Sequence, residues 1–219
     1  MHVNGAIADK ASRLVSTADA VAIVGGRPRF VSRGGEKLDA ALDNFGVDVR
    51  GLRVLDAGAS TGGFTDCCLQ RGAAHVVALD VGHAQLHESM RGRPDVMVIE
   101  RYNVRHLQVA DIGGPVDVVV ADLSFISLTT VLRALVGALV SGGQMVLLVK
   151  PQFEAGRAEV SKGRGVIHDE QVHIRVRDEI EQALLDEGCS VLGWMTSPIT
   201  GATGNVEFLV HASITGASS

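Results

Sequence analysis

From Leu52 onward, short β-branched runs alternate with amphipathic stretches, and this alternation restricts the chain to repeated strand–helix units on a mainly parallel sheet. Strand patterns fall at 53–56, 75–80, 96–100, 116–121, 143–150, 190–197 and 207–211, and helical patterns at 37–45, 63–71, 84–90, 128–140 and 169–187. The run Val116-Asp-Val-Val-Val120 is almost continuously apolar, as expected of a strand covered on both faces. No helix separates the last two strand patterns, so they are expected to pair antiparallel at one edge. The sequence therefore predicts an α/β, Rossmann-like fold: a mainly parallel seven-stranded sheet, last strand antiparallel, with helices on both faces.

The first 28 residues follow another pattern. Val3-Asn-Gly5 carries a turn signal, and a short strand at 21–24 ends in Gly25-Gly26 ahead of Pro28. Residues 1–28 read as a small β appendage and linker, 29–213 as the main domain and 214–219 as a flexible tail. A chain of 219 residues has room for one sizeable core, and 46% apolar with 21% charged residues excludes wholesale disorder. No apolar run reaches the ~18 residues of a membrane helix. The start, Met-His-Val-Asn-Gly-Ala, lacks the features of a secretory signal, which leads to the expectation of a cytoplasmic protein. Cys67 and Cys68 are adjacent and Cys189 stands alone, a spacing that suits neither disulfides nor zinc, so buried free thiols are expected. The net charge of −5 has the wrong sign for a protein that coats nucleic acid, so an RNA partner would have to meet a local basic patch.

The strand Arg53-Val-Leu-Asp56 runs straight into Ala57-Gly-Ala-Ser-Thr-Gly-Gly63, a glycine-rich turn at the carboxyl end of the first strand, where open α/β sheets bind ligands. A dinucleotide fingerprint needs glycine where Ser60 stands, and it fails. A strand-end carboxylate, Asp56, aimed into the turn would repel a pyrophosphate yet suit a ligand carrying an ammonium and a sulfonium, which favours S-adenosylmethionine. The candidate contacts are Asp56, Gly58, Ser60, Gly62, Gly63 and Phe64, with Asp80 at the end of the second strand as a ribose clamp. Asn103 is placed to read an adenine edge or to serve as a turn residue. Asp122, ending the fourth strand, faces both donor and acceptor. A plain structural turn with Asp56 as a helix cap is the competing reading.

Lys150 terminates an otherwise apolar strand in Val149-Lys-Pro-Gln-Phe153, beside Asp122. Such a lysine either removes a proton from a hydroxyl or forms a structural ion pair with Asp122. Glu207 and Lys37 could extend a set of alternating charges, but spacing alone does not bring them together.

Five separated strings carry a resemblance: Val31-Ser-Arg-Gly-Gly-Glu-Lys-Leu38, Leu55-Asp-Ala-Gly-Ala-Ser-Thr-Gly-Gly-Phe-Thr65, Ala121-Asp-Leu-Ser-Phe-Ile-Ser127, Val149-Lys-Pro-Gln-Phe-Glu154 and Gly204-Asn-Val-Glu207. Together they resemble the TlyA family, bacterial 2′-O-ribose rRNA methyltransferases with an FtsJ-like catalytic domain, over Phe30 to Ala212. The resemblance implies a class I methyltransferase fold and a Lys-Asp-Lys-Glu tetrad on Lys37, Asp122, Lys150 and Glu207, with Lys150 as base on the ribose 2′-hydroxyl. It implies ribosomal RNA within ribosomal subunits as partner. Leu123-Ser-Phe125 after the fourth-strand acid argues against base-amine methylation, whose enzymes usually carry Pro-Pro-Tyr or Pro-Pro-Phe there. At the N-terminus, residues 3–24 resemble only the second half of an S4 RNA-binding module, expected to be mobile or docked on the main domain.

Arg27, Arg29 and Arg33 before the core, and Arg157, Lys162 and Arg164 after Lys150, are candidate phosphate contacts at the cleft mouth. Phe64, Phe125 and Phe153 could stack on adenine or a flipped base, or pack in the core. His168-Asp169 reads as a helix cap. Two further classes stand beside the rRNA enzyme: a small-molecule O-methyltransferase, and a membrane-active protein, since TlyA-like proteins also carry the haemolysin label.

Overall fold

The computed structural model describes residues 2–8, 14–22, 28–163 and 165–215, and for 157, 158 and 162 the backbone alone. At the N-terminus β1 (His2–Val3) pairs antiparallel with β2 (Ala6–Ile7) and β3 (Val21–Ala22). The turn between β1 and β2 has Asn4 and Gly5 both at positive φ, the geometry that Asn-Gly supplies at least cost. Residues 23 and 24 of the expected strand, and 216–219 of the expected tail, lie outside the described residues.

The main sheet comprises β4 (Arg53–Ala57), β5 (His75–Leu79), β6 (Val96–Ile99), β7 (Val116–Ala121), β8 (Leu139–Val149), β9 (Cys189–Thr196) and β10 (Phe208–Ile214). Their order is β6-β5-β4-β7-β8-β10-β9, parallel from β6 to β8, with β10 antiparallel to both neighbours. The fold is the Rossmann-like one predicted. Alternate residues of the inner strands serve opposite faces, as the period of two requires. Leu55, Val77, Val119 and Leu147 pack into one core, while Val54, Val76, Val118 and Leu148 pack into the other.

The second core receives α1 (Gly34–Phe45) and α2 (Gly63–Gln70) through Leu38, Leu42, Phe64 and Cys67. The first receives α3 (Leu132–Gly137) and α6 (Glu170–Asp186), whose Val172, Val176, Ile180 and Leu184 recur every fourth residue along one stripe. Asp169 caps α6 by accepting a hydrogen bond from the Gln171 amide at 2.9 Å, as expected. All three cysteines are free and buried.

Two expected helices differ. Residues 84–90 form turns, because Ala84 takes a left-handed φ of 55° and its amide is drawn to the Glu100 carboxylate at 2.9 Å, while the His87 amide bonds to the Thr61 carbonyl. The stretch 128–140 divides into a 3₁₀ turn, α3 and the start of β8, which begins at Leu139 and crosses a register break opposite Val116–Val118. Two short helices after β8, α4 (Pro151–Glu154) and α5 (Arg157–Lys162), were not read from the sequence.

Candidate active site

The carboxyl ends of β4, β5, β7 and β8 open onto two adjoining cavities of about 570 and 510 Å³, which share Gly58, Ser60, Asp122, Ser124 and Phe125 as walls. Gly58 makes the shared wall possible. At φ +86° it lies so close to β7 that a Cβ atom would stand 2.6 Å from the Asp122 carbonyl oxygen. The next turn is held by Asp80, whose Oδ2 accepts from the Ser60 amide at 2.8 Å and Oδ1 from the Gly82 amide at 2.6 Å. Asp80, Tyr102, Asn103 and Arg105 then line the second cavity. Asn103 is a turn residue, whose Oδ1 accepts from the Arg105 amide at 3.0 Å to cap a 3₁₀ turn, and it also lines the second cavity.

Asp56, a candidate donor contact, lines neither cavity. It is completely buried behind the loop, where Oδ2 accepts from the Thr65 hydroxyl at 2.6 Å and Oδ1 has no hydrogen-bond partner among the described residues. Burial pushes its carboxyl up to about 7, with the nearby Asp122 and Asp80 charges adding to the rise and the Thr65 hydrogen bond opposing it. A folded-state value above the ordinary 3.8 means that the native state binds the proton more tightly. The stabilisation is complete below about pH 4 and is lost as pH rises through about 7. Asp56→Asn, which imitates the protonated form, is expected to melt close to wild type below about pH 4 and increasingly above it as pH rises to 8, by up to roughly 4 kcal/mol of stability. Melting curves that lose stability in parallel for both proteins across that range would contradict the assignment.

Lys37, Asp122, Lys150 and Glu207 all line the first cavity. The fold delivers them from four places: the first turn of α1, the residue after β7, the residue after β8, and the residue before β10. Glu207 Oε2 accepts from Lys37 Nζ at 2.5 Å, with the two side chains 3% and 10% exposed, which makes this a desolvated pair. Lys150 Nζ forms an ion pair with Asp122 Oδ1 and donates to Ser124 Oγ at 3.0 Å. The loop before β10 is fitted to this arrangement, since a Cβ on Gly201 would lie 2.5 Å from Glu207 Oε1. Asn205, 1% exposed, secures that loop: Oδ1 accepts from the Ile167 amide and Nδ2 donates to the Gly165 carbonyl and the Thr203 hydroxyl.

The other candidates divide. Gly63 and Phe64 line the first cavity, whereas Gly62 lines neither and instead packs against Leu86. Phe64 is buried in the second core, but Phe125 is 91% exposed and lies tilted against Phe153 with ring centroids 5.1 Å apart. Phe125 has φ +63°, a strained backbone conformation for an aromatic residue. Arg33 lines the first cavity, exposed. Arg29 lines neither cavity. Its guanidinium pairs with Asp39 and lies over the Phe30 ring, and the same Asp39 pairs with Arg71, so this cation ties the chain entering α1 to α1 and α2. Arg27 and Arg164 lie outside the described residues, as do the side chains of Arg157 and Lys162 on α5. Sequence reading missed Ser124, Arg105 and Asn205; only the positions of Ser124 and Asn205 inside the quoted strings offered a signal.

Comparisons with known proteins agree with this geometry. Residues 30–214 match the model of the FtsJ-like methyltransferase family. The chain is 49% identical to the 16S/23S rRNA (cytidine-2′-O)-methyltransferase TlyA of Mycobacterium tuberculosis, over 96% of this chain and 78% of that one. It is 39% identical to Hemolysin A of Brachyspira hyodysenteriae, over 96% and 88%. Among solved structures, a hemolysin-named protein from Lactococcus lactis superposes with a TM-score of 0.84 at 45% identity, covering 87% of this chain and 91% of that one.

Proposed function

The chain belongs to the FtsJ-like methyltransferase family, and from that premise we propose that it methylates the 2′-hydroxyl of a cytidine ribose in ribosomal RNA, with S-adenosylmethionine as donor. The observation that carries the proposal is the meeting of two cavities at Asp122, one walled by an acid and an amide, the other by two lysine–carboxylate pairs. The second cavity fits the donor's nucleoside. Asp80 offers a carboxylate to a ribose diol, Asn103 an amide to an adenine edge, and Leu79, Leu123 and Ile126 an apolar wall. Bound there, the donor supplies a methyl group activated by a sulfonium.

The residues of the first cavity act on the acceptor. Lys150, as the neutral amine, takes the proton of the 2′-hydroxyl while that oxygen bonds to the methyl carbon, and the carbon–sulfur bond breaks to leave a neutral thioether. The ammonium so formed is held by Asp122 and returns its proton to solvent before the next turnover. Lys37 and Glu207 orient the sugar from the facing wall. Alignment supplies much of the rate in such an in-line transfer.

Phe125 provides a stacking surface for an unstacked base, and Arg33 a phosphate contact beside it. Phe125→Ala is expected to raise KM for the RNA on the order of 10-fold, more than it changes the donor Kd. An unchanged KM in steady-state assays on ribosomal subunits would remove Phe125 from the acceptor site.

The reading is tested by incubating the protein with labelled donor and purified ribosomal subunits, followed by nucleoside mass spectrometry. Label recovered as 2′-O-methylcytidine supports it; label found only on small hydroxylated compounds would favour the second class. For the membrane-active reading, no helix among the described residues is long and apolar enough to cross a membrane, and leakage of liposomes at low protein concentration would be its support.

A further inference from the structure

Lys150 Nζ carries two polar partners, the Asp122 carboxylate and the Ser124 hydroxyl, and a third neighbour, the Phe153 ring, whose centroid lies 5.8 Å away. A tetrahedral amine nitrogen bonded to its own carbon has three remaining directions. One of them is taken by the Ser124 hydroxyl, while the Asp122 carboxylate on the same short segment after β7 lies against the nitrogen as an ion-pair partner whose Oδ1 accepts no hydrogen bond among the described residues. The lysine chain itself, bounded by Pro151 at the start of α4 and 8% exposed, has little freedom to swing.

We propose that Ser124 is a positioning residue for the base: by accepting one N–H beside the Asp122 charge, it fixes the rotation of Nζ and leaves another direction of the nitrogen uncommitted and fixed in space. This inference rests on Lys150 being the base. When the amine is neutral, one hydrogen is held by Ser124, the Asp122 charge draws the other to its side, and the lone pair is left to the third direction. Without Ser124 one hydrogen is free, the nitrogen rotates about the Cε–Nζ bond, and the lone pair spends part of its time turned from the acceptor. Ser124 also sits one residue before the strained Phe125, so the backbone that aims the hydroxyl at Lys150 is the backbone that presents the exposed ring. One segment therefore registers the base and the acceptor's stacking surface together.

A structural role predicts that volume matters and the hydroxyl does not; positioning predicts the reverse. The matched variants are Ser124→Thr and Ser124→Val, nearly equal in shape and different in the hydroxyl, with Ser124→Ala as reference. Ser124→Ala and Ser124→Val are expected to lower kcat roughly 10- to 100-fold with KM for the RNA and donor Kd within a few-fold, while Ser124→Thr recovers most of the loss. In the protein without donor or RNA, the Lys150 ammonium resonance, observable by ¹⁵N NMR when its exchange is slowed by acceptors, should broaden in the alanine and valine variants and persist in the threonine one. If valine and threonine behave alike, or kcat holds in Ser124→Ala, the positioning role is overturned. Should Lys150→Ala retain full activity in the same assays, it is the base assignment that falls; an inactive Lys150→Ala beside a fully active Ser124→Ala removes only the role of Ser124.

Discussion

Replacing Lys150 with alanine is expected to lower kcat by about 10²- to 10⁴-fold while the donor Kd stays within a few-fold, because general-base catalysis contributes on that order and Lys150 lines the acceptor cavity but not the nucleoside one. The split between rate and binding is the informative part. Loss of the lysine also leaves Asp122 without its ion-pair partner, so a folding defect has to be separated from a chemical one. Lys150→Met keeps the buried aliphatic stem while removing the amine, and its melting curve, read beside that of Lys150→Ala, shows how much of any loss is folding. Calorimetric titration of the donor, together with single-turnover transfer to ribosomal subunits, gives both quantities. A Lys150→Met protein that binds donor normally and transfers methyl at the wild-type rate would end the proposed chemistry.

The second large effect concerns stability. Lys37 and Glu207 face each other at 2.5 Å with both side chains nearly excluded from water. Removing one member of such a pair leaves the other charge buried, at a cost of roughly 3–5 kcal/mol, which for a domain of this size lowers Tm by about 6–20 °C. Lys37→Met is therefore expected to melt far below wild type, and Glu207→Gln likewise. The double variant Lys37→Met/Glu207→Gln has no uncompensated charge and is expected to regain most of the stability without regaining activity. Additive losses in the double variant, measured by thermal and denaturant unfolding, would mean that the two side chains do not interact as drawn.

These two experiments rest on residues that were legible in different ways. The sheet could be read because its strands are short, β-branched and buried on both faces, so the pattern and the packing say the same thing at Val116–Ala121 and Met145–Val149. Residues 84–90 misled because the spacing of Leu86 and Met90 suits a helix, and both are indeed buried, yet the Glu100 carboxylate from beyond β6 captures the Ala84 amide and redirects the chain. A periodicity cannot register a competing acceptor that lies 16 positions away. Asp56 shows another limit. Its place at a strand tip was readable, but whether the carboxyl faces the cavity or the core depends on where α2 brings Thr65. Arg29 looked like one more cation before the core until Asp39 and Phe30 were seen around it. Lys37 and Glu207, 170 positions apart, have no spacing to recognise at all, and only their place within recurring strings suggested that they belong together.

The reversed direction of β10 settles when the site can exist. Because β10 is inserted between β8 and β9, with Phe208 opposite Val149, the residue that precedes it arrives at the same rim that Lys150 leaves. During synthesis the partner of Lys37 therefore emerges after Lys37, Asp122 and Lys150, and the strand that follows it must wedge between two strands made earlier. Catalytic competence waits on β10: a protein complete only through β9 would present the glycine-rich loop and both lysines, but the first cavity would still lack the wall that Glu207 supplies.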